Sequence, residues 1–76
     1  MTDTPFFDSQ HLIKLAYYKM PYGKYKDYYL SDIPEYYLSW YKQKGFPENK
    51  LGKLLQETYE LQQNGLENLL KKIRNS

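Results

Sequence analysis

Lys19, Lys24 and Lys26 alternate with Tyr22, Tyr25 and Tyr28 within residues 19–28. Ammonium groups neutralise phosphate and phenol rings stack on bases, so this interleaving is a pattern that can hold a single strand of nucleic acid. Gly23 belongs to the same set because it lets the chain turn just before the Lys24-Tyr25-Lys26 tip. Lys42 and Lys44 add two cations further along. Phosphate and base contacts have to be made together, so a binding face requires these five lysines beside at least two exposed hairpin tyrosines. The competing reading is a solvated turn whose tyrosines pack on neighbouring helices. Asp27 places a negative charge beside Lys26 and weakens any grip on phosphate at the tip.

Other chemistry finds less support. Asp27, Asp32 and Glu35 are the close acidic set and raise the question of Mg²⁺. Helix capping accounts for Asp32 and Glu35, and a two-metal nuclease needs carboxylates this set does not supply, so no metal is expected. His11 is the sole histidine, with no serine or cysteine tied to it by spacing. It reads as a first-turn surface residue rather than a general base. Trp40 could be a stacking platform, but it shares an arc with Ile33 and Tyr37, which favours the core or its rim. The expectation is therefore a non-enzymatic binding module with no catalytic residue, metal or cofactor.

The elements that must position these residues follow from composition and pattern. Seventy-six residues suit one domain with a modest core, expected over residues 8–76 behind a flexible tail at 1–7. With no cysteine, the fold rests on packing, as suits a cytoplasmic protein. Neither a signal peptide nor a membrane span is expected from the short apolar runs. Eleven basic and nine acidic residues leave a formal charge of +2, too little for strong non-specific DNA binding, so the distribution of charge matters more than its sum. Ten tyrosines are many for a small helical domain, and their hydroxyls call for water or a partner, which puts part of the set at the surface.

Asp8 is a candidate N-cap, with Phe7 and Leu12 as a hydrophobic staple, for a first helix over residues 9–18. Pro21 ends it, and residues 20–30 read as a tight β-hairpin turning at Gly23 to Asp27. Asp32 with Glu35 forms a capping box for a second, aromatic helix over residues 33–44, closed by Gly45. The third helix spans residues 48–63 from Pro47 to the Asn64-Gly65 stop. Inside it, Gly52 implies the close approach of another backbone. A fourth helix over residues 66–74 ends in Lys71, Lys72 and Arg74, where cations suit the dipole. The expected buried set is Leu12, Leu15, Ile33, Tyr37, Leu38, Leu51, Leu54, Leu55, Leu66, Leu69 and Ile73.

An ordered string of motifs carries a resemblance: Met20-Pro21-Tyr22-Gly23-Lys24-Tyr25-Lys26, then Asp32-Ile33-Pro34, Tyr37-Leu38 before Trp40, Lys44-Gly45-Phe46-Pro47, Leu51-Gly52 and Asn64-Gly65-Leu66. It resembles the small bacterial family named for putative quorum-sensing-regulated virulence factors, over roughly residues 15–70. Tyr22 stands where that family usually has phenylalanine, and Asp27 where it usually has glycine. The shorter pattern of Gly-Lys-Tyr-Lys and Tyr-Leu-x-Trp also looks like the C-terminal accessory domain of exodeoxyribonuclease X-like proteins, whose nuclease chemistry lies elsewhere. That likeness implies an accessory role near nucleic acid.

The combined expectation is a mostly α, small α+β domain of about four short helices around one β-hairpin. Its expected function is nucleic-acid binding through the Lys/Tyr-rich hairpin. The partners implied are single-stranded nucleic acid or a nuclease-type protein, without a membrane. The alternative is a protein-protein interaction module, homodimeric if the leucine stripes exceed what one core buries.

Overall fold

Leu12, Leu15 and Ala16 put one apolar stripe on helix α1 (Ser9–Tyr17), and all three are buried. The structure, a computed structural model, describes residues 9–75; the proposed tail, the Asp8 cap and the Phe7 staple lie outside them. Helices α2 (Glu35–Lys44), α3 (Lys50–Gln63) and α4 (Glu67–Asn75) follow, with a 3₁₀ turn at Leu30–Asp32 between α1 and α2. α1 packs on α4, α2 packs on α3, and the 3₁₀ turn bridges α1, α3 and α4. Among the described residues no helix is long and apolar enough to cross a membrane.

The expected β-hairpin is absent, and the fold is all-α. Residues 18–29 form a closed loop with one isolated antiparallel bridge, Lys19 to Tyr29, and no strand is present among the described residues. Backbone bonds from Met20 N to Tyr28 O (2.8 Å), Asp27 N to Met20 O (2.8 Å) and Leu30 N to Tyr18 O (3.0 Å) close its neck. Beyond the neck the chain curls rather than pairs, with Lys26 N bonded to Gly23 O and Tyr28 N to Tyr25 O. Gly23 (φ 86°) and Asp27 (φ 71°) bracket the curl in the left-handed region. The physical reason lies in what the loop buries. Met20 and Tyr25 are 1% and 8% exposed, so the loop sends two large side chains into the core, and Leu30, which opens the 3₁₀ turn just behind it, adds a third at 0%. A two-stranded ribbon has no third layer for them, and at about 1.5–3 kcal/mol for each large apolar side chain this burial outweighs a few ladder bonds.

Two helix starts also differ from expectation. Asp32 does not cap α2; the N-cap is Pro34, without a side-chain bond, and Ile33 before it is extended (φ −75°, ψ 129°). Proline disfavours helical geometry at the preceding residue, so the helix cannot start at Ile33. α3 starts at Lys50 rather than 48, because Asn49 Oδ1 accepts the Gly52 amide at 2.9 Å. Its end matches the expected stop: Leu66 N bonds Leu61 O and Gly65 N bonds Gln62 O, a Schellman motif with Gly65 at φ 70°.

Gly52 is explained by contact. A Cβ built there would lie 1.6 Å from the Pro47 carbonyl oxygen, so the segment entering α3 rests directly on its first turn. The core combines Leu15, Ile33, Leu38, Leu55, Leu61 and Leu70 with Met20, Leu30 and Thr58, each under 2% exposed. Thr58 returns its hydroxyl to Leu54 O at 2.8 Å, which makes its burial tolerable. Leu66 is 39% exposed and Tyr37, Leu69 and Ile73 are only half-buried, so α4 buries Leu70 where the expectation had Leu66.

Candidate functional site

Tyr36, Tyr37, Trp40 and Tyr41 lie at helical spacings that give α2 two adjacent rows of rings on one side. The loop of residues 18–29 folds over that side, because Tyr25 is drawn into the core beside Tyr37. A continuous aromatic ribbon results. Tyr28 meets Tyr25 edge-on at 5.3 Å, Tyr25 meets Tyr37 at 4.8 Å, and Tyr37 stacks on Trp40 at 5.7 Å with 30° between planes. Tyr41 touches both Tyr37 and Trp40 and stacks on Phe46 at 5.9 Å and 16°.

A hydroxyl bond ties the two layers together. Tyr25 and Tyr36 share it at 2.7 Å. The bond to Tyr36 comes first in pushing the Tyr25 phenol up to about 12, with burial and the neighbouring phenols adding to it. Burial comes first in raising the Tyr41 phenol, with the neighbouring Tyr22 phenol adding to it. The surface around this bond is accessible: Tyr22, Tyr28, Tyr36 and Trp40 are 49%, 50%, 64% and 49% exposed.

Two of the five lysines named from sequence sit on the ribbon, so it falls short of the five-lysine face expected of a nucleic-acid site, and its affinity would have to come more from stacking than from charge. Lys24 Nζ lies 5.5 Å from the Tyr25 centroid and Lys44 Nζ 5.1 Å from that of Trp40. Lys19 and Lys42 instead cover Tyr29 and Tyr59, at 5.1 and 5.4 Å, rings outside this chain of contacts among the described residues. Lys26 is exposed on the curl, its amide held by Gly23 O. Gly23 places its backbone beside the Tyr37 hydroxyl. Of the tyrosines named, Tyr22 and Tyr28 present half their surface and Tyr25 is the buried tie beneath them.

Tyr36, Tyr37, Tyr41 and Phe46 were not among the site residues read from sequence, and Trp40 was assigned to the core or its rim. Their signal was available in the spacing of rings along α2. What hid it was the assumption that an aromatic arc on a helix faces inward.

The acidic set disperses into structural contacts. Asp32 pairs with Arg74 at 3.6 Å and Lys71 at 3.8 Å, and Glu35 accepts from Gln63 Nε2. His11 is half-buried rather than a free surface residue, with Nε2 2.6 Å from Glu57 Oε1. Arg74, read from sequence as a dipole partner, is a clamp. It donates to Ala16 O at 2.6 Å and Ser31 Oγ at 2.8 Å, and its guanidinium lies 4.0 Å from the Tyr29 centroid.

The comparisons with known proteins give a family and no activity. Two relatives, each called "Uncharacterized protein YpeB", come from Escherichia coli strain K12 and Escherichia coli O157:H7. Each is 41% identical over 68 residues, covering 88% of this chain and 94% of the relative. No solved structure is a significant match. The model of the family described as "Putative quorum-sensing-regulated virulence factor" matches residues 8–73, and the chain belongs to that family.

Proposed function

We propose that the chain is a non-enzymatic binding module that holds single-stranded nucleic acid along the aromatic ribbon of α2 and the loop before it. The observation carrying this reading is the continuity of the surface: three exposed rings, Tyr28, Tyr36 and Trp40, join one network of ring and hydroxyl contacts with Lys24 and Lys44 on it. Each base stacked on an aromatic side chain contributes about 1–3 kcal/mol, whereas an exposed cation-π contact is worth about 0.5–1 kcal/mol. A base can therefore displace Lys44 from the Trp40 face and leave its ammonium group for the adjoining phosphate. The hydroxyl bond between Tyr25 and Tyr36 and the packing of Tyr25 on Tyr37 hold the rings before binding, which lowers the ordering cost. An accessory role beside nuclease-type machinery in the cytoplasm fits this reading.

A titration of Trp40 fluorescence with oligothymidylate over a range of salt tests it. The expected result is quenching, with log affinity falling linearly against log salt. Trp40→Ala, followed by intrinsic tyrosine fluorescence, should weaken binding by about 1–3 kcal/mol. Failure of the parent to bind at low salt overturns the proposal. Sedimentation then decides whether the same rings join two copies, since exposed tryptophan and tyrosine also suit protein interfaces.

A further inference from the structure

The 3₁₀ turn, the start of α2, the end of α3 and the first turn of α4 surround a polar hollow of about 250 Å³ that shares no lining residue with the aromatic ribbon. Gln62 and Glu67 both line it, and each brings a buried oxygen, Gln62 Oε1 and Glu67 Oε1, that has no hydrogen-bond partner among the described residues. Buried acceptors left without a donor are rare, because each has given up its hydration for nothing in return. Turning the Gln62 amide over brings no relief. Its nitrogen donates to Ile33 O at 2.8 Å, and a flip would set two acceptors against each other. Ionised Glu67, like that amide oxygen, can only accept. What the two oxygens call for is a donor.

Charge narrows the choice. Asp32, Glu35 and Glu67 line the hollow with Lys71. Lys71 at 3.8 Å and Arg74 at 3.6 Å both direct their charge to Asp32. Glu35 accepts from the neutral amide of Gln63, and neither Glu35 nor Glu67 has an ion pair among the described residues. Water, at about 30 Å³ a molecule, fits such a volume and supplies donors, but it brings no charge to these two carboxylates. A metal ion brings charge but needs converging ligands, and no three acidic or histidine side chains come together closely enough to hold one among the described residues. An ammonium group is a compact, strongly hydrated point charge with three donors. A guanidinium is planar, more weakly hydrated, and carries five donors in a fork that spans acceptors standing apart.

We propose that this hollow takes a guanidinium group, with Gln62 Oε1 and Glu67 Oε1 as its inner acceptors and Glu35 as the second carboxylate. The site stands apart from the ribbon and does not depend on what the ribbon binds. Its ligand is either the side chain of a partner's arginine or a free guanidino compound, which share this chemistry.

The test titrates the ¹⁵N-labelled protein with methylguanidinium chloride and, at matched ionic strength, with methylammonium chloride, following the Gln62 side-chain amide and the Glu67 backbone amide by NMR. Both resonances should shift and saturate, at lower concentration for methylguanidinium than for methylammonium. Glu67→Gln keeps an acceptor in place but removes its charge, and should weaken binding about tenfold or more. Glu48→Gln removes the same charge from an exposed position outside the hollow and should bind like the parent. The dispersion of the amide spectrum shows in the same experiment that both variants are folded. A capped Gly-Arg-Gly peptide that binds more tightly than methylguanidinium marks a partner's arginine as the ligand, and one that binds no more tightly marks a free guanidino compound. Shifts that are absent or do not saturate overturn the site. Methylammonium binding as well as methylguanidinium, or Glu48→Gln weakening binding as much as Glu67→Gln, overturns it too, because charge alone then explains the effect.

Discussion

Replacing Gly52 by alanine sets two opposed terms against each other, and the structure decides the sign. Alanine is better than glycine in a helix by about 0.8–1 kcal/mol, so propensity alone predicts a more stable protein. Contact predicts the reverse. The added Cβ would lie 1.6 Å from Pro47 O, 2.6 Å from Pro47 C and 3.1 Å from Pro47 N, all backbone atoms that no rotamer change can remove. The oxygen has to retreat by roughly half a van der Waals contact distance, and the segment carrying it includes Phe46, stacked on Tyr41. Overpacking of this kind costs about 1–3 kcal/mol and occasionally more. A contact this short against rigid backbone belongs at the upper end, leaving a net loss of about 2 kcal/mol after propensity is credited. At about 0.05–0.15 kcal/mol per residue, a domain of this size has only some 4–11 kcal/mol to lose. Urea unfolding followed by circular dichroism at 222 nm should show the midpoint falling by about 1–2 M, for an m-value of about 1–2 kcal/mol/M. Trp40 fluorescence should report the same transition if Phe46 and Tyr41 are displaced with it. A Gly52→Ala variant as stable as the parent, or more stable, would refute the packing of Pro47 on α3.

Arg74→Lys should destabilise by about 1–3 kcal/mol in the same assay despite conserving charge, because a lysine cannot bond Ala16 O and Ser31 Oγ together while lying flat over Tyr29; an unchanged midpoint would deny the clamp. Leu70→Ala should cost about 2–5 kcal/mol and Leu66→Ala close to none, although Leu66 belongs to the buried set expected from sequence; thermal unfolding of the pair checks which residue is inward. The Tyr25 phenol, raised from an ordinary 10 to about 12, keeps its proton in the folded state after the unfolded chain has lost it. Its contribution is therefore complete below pH 10 and is lost as pH rises towards 12, so stability should fall across that window. Tyr36→Phe removes the leading cause and should move the ultraviolet phenolate titration of Tyr25 to lower pH.

Local signals made much of the helical frame legible. Pro21 and the Asn64-Gly65 pair stop helices through backbone chemistry that needs no partner, and both boundaries fall within a few residues of expectation. The apolar stripe of α3 was equally plain, since Leu51, Leu54, Leu55, Thr58 and Leu61 recur at helical spacing and all are buried. Gly52 announced a close approach because a mid-helix glycine carries a local cost. Family membership was legible too, through an ordered string of motifs.

Tertiary context decided the rest. Proline, glycine and alternating tyrosines in residues 20–30 suit a hairpin locally, and only the core shared with the helices and the 3₁₀ turn draws Met20 and Tyr25 inward to make a curl. Asp32 followed by Glu35 three residues later matches a capping box in sequence, yet the geometry imposed by Pro34 and the cations Lys71 and Arg74 of α4 give Asp32 a different role. The ribbon has the same origin. Which side of α2 is covered depends on how much of it α3 and the loop can reach, and that is a property of packed volumes rather than of period. The ten tyrosines carry the potential for an aromatic surface in the sequence. The buried ring of Tyr25, bonded to Tyr36 and packed on Tyr37, turns that potential into one continuous face.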